Sequence, residues 1–269
     1  MVRESVREHG GHRRLTRASL FWAVLLLGLS APSAAQTAAS MTIERVKLSI
    51  VAVGTFERLR SPQFSFSGTG FVVGNGLLVA TNDHVLPKLT NAERGEALVI
   101  AIPGPGRTAQ VRAARKLASD AGADLALLRI EGSALPALTL DKAQDVREGE
   151  SYLFTGFPIG SVLGLFPVTH RAMIAAVTPI VIPAARADQL DARTVRRLIT
   201  GSFPIFQLDG TAYPGNSGSP IYHPQTGEVI GIVNSVFVKG TKESALTQPS
   251  GITYAIPAQK LKELLDRTR

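Results

Sequence analysis

Apolar residues in this chain come in short bursts separated by Gly, Pro, Asn and Asp, and few stretches carry the 3.6-residue period of a helix. From about Met41 onward, KLSIVAVGTF (47–56), GTGFVVGNGLLVATNDHVL (68–86), ALVIAI (97–102), QVRAARKLA (110–118) and DLALLRI (124–130) read as strands. Gly74-Asn75-Gly76 closes an apparent hairpin within the second of them. The polar stretch DKAQDVREGE (141–150) reads as a link between two halves. A second series then follows: SYLFTGFP (151–158), VTHRAMIAAVTPIVI (168–182), IFQLDG (205–210), SPIYHP (219–224), EVIGIVNSVFV (228–238) and ITYAIP (252–257). Residues 184–199 interrupt this series with a helical or loop-like stretch, and AQKLKELLDR (258–267), entered through Pro257, predicts an amphipathic closing helix. Strands without alternating helices predict sandwiches or barrels rather than βαβ units. No internal repeat is visible in the sequence.

Composition sharpens this picture in two places. Hydrophobic residues make up 45% of the 269 residues and charged residues 19%, which suits a globular body, and Gly 25 and Pro 16 are spread along the chain as turn signals. There is no cysteine, so stability must come from packing, and cysteine nucleophiles, iron–sulfur clusters and cysteine-ligated zinc are excluded. The net charge of +8 is carried in part by Arg3, Arg7, Arg13, Arg14 and Arg17. The remaining excess is modest and forms no basic stripe interleaved with aromatics, which argues against nucleic acid as a partner.

The same arginines open a three-part export signal. They precede the apolar run LFWAVLLLGL (20–29) and the small residues SAPSAAQ, with Ser33-Ala34-Ala35 suited to cleavage before Gln36. The run is shorter than the roughly 20 apolar residues of a comfortable membrane span. Residues 1–35 are therefore expected to be a removed signal peptide, with an uncleaved signal anchor as the alternative, and the body is expected in the periplasm or outside the cell.

Beyond that segment the chain has three histidines, His84, His170 and His223. This matters because YPGNSGSP (213–220) presents Ser217 in a glycine-rich turn, and a serine hydroxyl becomes a useful nucleophile only when an imidazole can take its proton. His84 in ATNDHVL, Asp124 at the head of DLALLRI and Ser217 give the order His, Asp, Ser, one of the known orders of a catalytic triad. An order of Ser, acid, His fails, because no Asp or Glu separates Ser217 from His223, and the G-x-S-x-G elbow fails at Ser219. An Asp, His, Ser order would need Asp83, whose side chain should point away from that of its neighbour His84 on a strand. A His170, Asp209, Ser217 set also keeps the right order but lies wholly in the second half. Metal binding by the three histidines lacks any H-E-x-x-H spacing.

The segments GTGFVV (68–73), ATNDHVL (80–86), DLALLRI (124–130), GFPIG (156–160), YPGNSGSP (213–220), GEVIGIV (227–233) and GITYAIP (251–257) occur in an order that resembles the chymotrypsin-like serine proteases, in particular the bacterial HtrA/Deg branch. The resemblance implies an all-β, trypsin-like fold of two antiparallel six-stranded Greek-key barrels, over 41–150 and 151–257, with a short closing helix over 258–269. It implies Ser217 as nucleophile, His84 as general base and Asp124 as the residue fixing the imidazole tautomer. The backbone N–H groups of Gly215 and Ser217 would form the oxyanion hole. Asn216 stands where the animal digestive enzymes carry the aspartate that receives a new N-terminus, so that route of activation is not expected. Ser219 departs from the second glycine of G-N-S-G-G, and the chain stops soon after YAIP, so the expectation is a protease domain without the PDZ module.

By the same resemblance, the pocket for the residue before the scissile bond is lined from 210–213, 234–236 and 250–253, among them Thr211, Asn234, Ser235, Val236 and Gly251. These segments contain no carboxylate, so small or medium apolar residues are expected there rather than Lys or Arg. Residues 184–199 correspond to the activation loops of the HtrA branch, or are an exposed insertion. The expected function is an exported endopeptidase acting on unfolded or envelope proteins, with no metal or organic cofactor. The alternative is an inactive peptide-binding or chaperone-like module on the same fold.

Overall fold

The structure is a computed structural model that describes residues 34–87, 95–106, 108–141, 145–179, 203–234 and 251–268. Most of the expected export segment, the 184–199 stretch and Ser235, Val236 and Ser250 lie outside the described residues. The chain divides into Met1–Thr37 and a compact unit, Ala38–Arg269, which carries both barrels.

The first barrel contains β1 (Ile50–Phe56), β2 (Phe64–Val73), β3 (Leu78–Thr81), β4 (Ala97–Pro103), β5 (Ala109–Asp120) and β6 (Leu125–Ile130), closed in the order β1-β2-β3-β6-β5-β4. The second contains β7 (Ser151–Gly156), β8 (Val168–Pro179), β9 (Pro204–Asp209), β10 (Pro220–Tyr222), β11 (Val229–Asn234) and β12 (Ile252–Pro257), closed as β10-β11-β12-β9-β8-β7. Every strand pair is antiparallel, and read from β7 the second order repeats the first. Among the described strands, closure leaves no free sheet edge to template aggregation.

Burial explains why several strands read as continuous apolar runs instead of alternating ones. In β1, Val51 and Val53 point into the first barrel beside Val72, Val79, Ile100 and Leu128. Their neighbours Ile50 and Ala52 join a different core, shared between the barrels, with Phe71, Leu125, Leu127, Leu153, Phe157, Tyr222 and Ile256. Strands at the junction are thus buried on both faces, whereas β5 has only exposed and half-buried residues. Full burial of each large aliphatic or aromatic side chain contributes about 1.5–3 kcal/mol, and packing of this kind holds the junction without disulfides.

Two helices frame the body. The chain from Ala34 to Lys47 is helical (α1), so β1 starts at Ile50, three residues later than the expected strand at Lys47. The reason is a helical stripe: Ala39, Thr42 and Val46 are buried, the Thr42 hydroxyl donates to the Gln225 carbonyl at 3.0 Å and Arg45 donates to that of Thr226 at 2.6 Å. The expected cleavage position before Gln36 falls in the first turn of α1. A short helix, α2 (Gly160–Leu163), follows β7, and α3 (Ala258–Asp266) closes the chain with Ala258, Leu261 and Leu264 in the shared core. No helix among the described residues is long and apolar enough to cross a membrane.

Arg267, just past α3, donates to the Asp120 carboxylate at the end of β5 at 2.8 Å, and the Ala123 N–H donates to the same group at 2.9 Å. Partial burial pushes the Asp120 carboxyl up, but these donors together outweigh it and hold it below the usual carboxylate range. The tie is complete at neutral pH and is lost as pH falls through that depressed value. Hydrogen-exchange protection at the last turn of α3, taken relative to the intrinsic exchange rate at each pH, is expected to fall on acidification, and Asp120→Asn should lower that protection at neutral pH and flatten its pH dependence.

Candidate active site

β3 ends at Thr81, and the backbone then tightens into a single 3-10 turn, Asp83–Val85, that carries His84. The turn replaces the strand end expected from the sequence. The carbonyl of Asp124 accepts the Asp83 N–H and the Asn82 side-chain amide, both at 3.1 Å, so the turn is bolted to the start of β6. Asp124 itself adopts φ 56°, a left-handed conformation that aspartate tolerates better than most residues. That conformation folds its side chain back toward the turn.

The Asp124 carboxylate is buried and fully engaged. One oxygen accepts the His84 backbone N–H at 3.0 Å; the other lies 2.7 Å from His84 Nδ1 and accepts the Asn234 side-chain amide at 2.8 Å. An ionised carboxylate can only accept, so the neutral imidazole tautomer that fits this contact carries its proton on Nδ1 and its lone pair on Nε2. The side chain of His84 is 17% exposed against 1% for Asp124, so the acid is shielded while the imidazole reaches the surface. Asp83 points elsewhere, to Lys116 at 2.8 Å.

Ser217 lies in the connection from β9 to β10, which is two successive tight turns closed by the Asn216 N–H on the Tyr213 carbonyl and the Ser219 N–H on that of Asn216, both 3.0 Å. Gly215 (φ 101°) and Gly218 (φ 88°) supply the positive φ these turns require. Each also permits a close approach: a Cβ at Gly218 would strike the Thr69 carbonyl, and one at Gly215 the Phe157 carbonyl. Thr69 of β2 holds the turn from the first barrel. Its N–H donates to the Ser217 carbonyl at 2.9 Å, and its hydroxyl donates to that of Gly215 at 2.7 Å while accepting the Phe157 N–H at 3.0 Å.

Ser219 has a local explanation. A Cβ at Gly156 would collide with its hydroxyl oxygen, so the glycine of GFPIG makes the room that the larger residue needs. The segments assigned to the pocket are joined by buried Thr253, whose hydroxyl donates to the Gly210 carbonyl at 2.6 Å and accepts the Ala212 N–H at 2.8 Å, with half-buried Thr211 between them. Gly210 also donates to the Gly251 carbonyl at 3.0 Å. His170 stacks on Phe154 with ring centroids 4.8 Å apart, and burial lowers its pKa. Its Nε2 has no partner, and β8 places it opposite Phe154 while Met173 faces Asp209, so the His170, Asp209, Ser217 set is not assembled. His223 meets Tyr152 edge-on.

Asn234 and Thr69 were not assigned these contacts from sequence. The resemblance puts Asn234 in the pocket, whereas its amide binds Asp124. Asn234→Leu keeps roughly the same volume and removes the donor; losing a hydrogen bond to a charged group is expected to cost about 1.5–3 kcal/mol of stability. Because Asp124 keeps both contacts to His84, kcat should fall less than in Asp124→Asn, as thermal melting and peptide turnover together would reveal.

Comparison with known proteins places this geometry. A family described as "Trypsin-like peptidase domain" matches residues 68–232, which include His84, Asp124 and Ser217. The chain is 28% identical over 213 residues to a "Probable periplasmic serine endoprotease DegP-like" of Hahella chejuensis, covering 79% of this chain and 38% of that protein. It is 30% identical over 200 residues to the protein of the same name from Chlamydia trachomatis, covering 74% and 33%. The chain thus spans well under half the length of these relatives. Among solved structures, "HtrA-type protease AlgW with tripeptide" has the same fold, with a TM-score of 0.59 at 24% identity over 85% of this chain and 62% of that one. With the match running from the middle of β2 into β11 of the twin barrels, this chain belongs to the trypsin-like peptidase family.

Proposed function

We propose that the chain is an exported serine endopeptidase of the HtrA/Deg type. The observation that carries this reading is the buried Asp124 carboxylate bound to both the backbone and Nδ1 of His84, which leaves Nε2 as a base. Ser217 Oγ attacks the scissile carbonyl while His84 takes its proton, and the N–H groups of Gly215 and Ser217 receive the developing oxyanion. His84 then protonates the leaving amine. Water, deprotonated by the same imidazole, hydrolyses the acyl-Ser217 ester and frees the enzyme. No step calls for a metal or an organic cofactor.

The substrates in this reading are polypeptides that are unfolded or mislocalised in the cell envelope, cut after small or medium apolar residues. The export signal over 1–35 and the names of the periplasmic relatives support the location. Barrels at 41–150 and 151–257 and a closing segment at 258–269 are the corresponding division of the chain. Casein digestion by the purified full chain, with and without Ser217→Ala, tests the activity. A peptide-library profile dominated by Arg or Lys before the cut would overturn the specificity.

A further inference from the structure

His84 sits in the turn after β3 and Ser217 in the connection from β9 to β10, and Gly68 and Thr69 of β2 lie between the two. A Cβ at Gly68 would be 2.8 and 2.9 Å from the methyl groups of Val85, the residue after His84, and 3.2 Å from the Ser217 carbonyl oxygen. The Thr69 N–H donates to that same carbonyl at 2.9 Å. At this point β2 is the layer that separates the histidine turn from the serine turn, and glycine keeps it thin.

Thr81, the last residue of β3, fastens this layer. It is fully buried, and its hydroxyl donates to the Thr69 carbonyl at 2.7 Å. A buried hydroxyl without a partner is costly, so the bond fixes the side chain and the carbonyl against one another. In the β3–β6 ladder Thr81 stands opposite Ala126, close behind Asp124, and along the chain it shortly precedes His84. A Cβ at Gly218 would fall 2.6 Å from the Thr81 hydroxyl oxygen and closer still to the Thr69 carbonyl, so both oxygens abut the residue after Ser217. One buried hydroxyl thus borders the chain segments of His84, Asp124 and Ser217. Asn234 joins the two barrels on the Asp124 side, and Thr81 joins them on the Ser217 side.

We propose that Thr81 is a positioning residue whose hydroxyl, acting through the Thr69 carbonyl, sets the separation between the His84 imidazole and the Ser217 hydroxyl across the barrel junction. This rests on the serine endopeptidase reading above. Base and nucleophile come from different barrels, and proton transfer between them requires hydrogen-bond reach. Without the Thr81 bond, β2 and the serine turn it carries are free to shift against β3 and the histidine turn.

Two pairs of proteins isolate the hydroxyl. Native chain against Thr81→Val, and Thr81→Ser against Thr81→Ala, each differ by that group at nearly constant volume, so the second pair decides should valine fail to fold. The valine and alanine variants are expected to lose about 10²-fold in kcat on a short peptide, the loss that a misplacement near 1 Å produces, with KM little changed. Thr81→Ser loses a methyl group and should melt at a lower temperature, yet keep kcat within about threefold of the native chain, because the donor remains. A role in stability alone would instead make kcat follow the melting temperature. Crystal structures of the same proteins read the separation of His84 Nε2 from Ser217 Oγ directly. It should lengthen by about 0.5 Å or more in the valine and alanine variants and stay native in the serine variant. An unmoved separation in the valine and alanine proteins, or a kcat that follows melting temperature instead of the hydroxyl, overturns the proposal. If the native chain cleaves no peptide while the separation still moves with the hydroxyl, the endopeptidase reading fails and the positioning role stands.

Discussion

Replacing Ser217 by alanine is expected to lower peptide turnover by about 10⁶-fold, the scale seen when a triad nucleophile is removed. The fold should survive, because Ser217 is held through its backbone carbonyl by Thr69 and the turn is closed by main-chain bonds. Asp124→Asn should cost about 10⁴-fold, with the protein again folded. The reason is visible in the donors around the carboxylate. The His84 N–H, His84 Nδ1 and the Asn234 amide converge on its two oxygens, and an asparagine offers only one acceptor oxygen and one NH₂. If the amide NH₂ faces Nδ1, the proton moves to Nε2 and the base is lost. Turnover of a fluorogenic peptide beside thermal melting checks both; activity of Ser217→Ala within tenfold of the native chain would contradict a nucleophilic role.

Gly215→Ala is the second large effect. The alanine must accept φ 101°, and its Cβ would sit against the Phe157 carbonyl and 2.9 Å from the Phe66 ring, so the turn has to rearrange. Rearrangement moves the proposed oxyanion donor, and kcat should drop about 10²–10³-fold. Strain of this kind should also cost about 1–3 kcal/mol of stability. Ground-state binding should change little, so KM of a short peptide is the control. A variant with both native kcat and native melting temperature would show that neither the turn nor its N–H is constrained as described.

The strands were legible in the sequence because the barrels are short apolar segments punctuated by turn residues, and the Gly74-Asn75-Gly76 hairpin appears between β2 and β3 as read. The start of β1 was not, because the helical stripe of Ala39, Thr42 and Val46 is brief and its partners, Gln225 and Thr226, are remote in sequence. The shared strand order of the two barrels left no sequence repeat, since pairing order is set by backbone closure while the side chains of each barrel pack against different neighbours. For the site, order along the chain singled out His84, Asp124 and Ser217 because few histidines were available. Asn234 and Thr69 could not be assigned their contacts that way. An asparagine after an apolar run and a threonine between glycines are common, and only closure of both barrels brings the Asn234 amide to Asp124 and Thr69 to the Ser217 turn. The positive φ of Ile159 is more hidden still, because nothing about an isoleucine announces it.

Labelling the full chain with a fluorophosphonate and mapping the modified residue by mass spectrometry tests the central claim most directly, with casein present to engage the site. The account predicts one adduct, on Ser217, lost in Ser217→Ala and strongly reduced in Asp124→Asn. A folded, casein-treated protein that takes no label, or takes it at Ser219 or another serine, would contradict it.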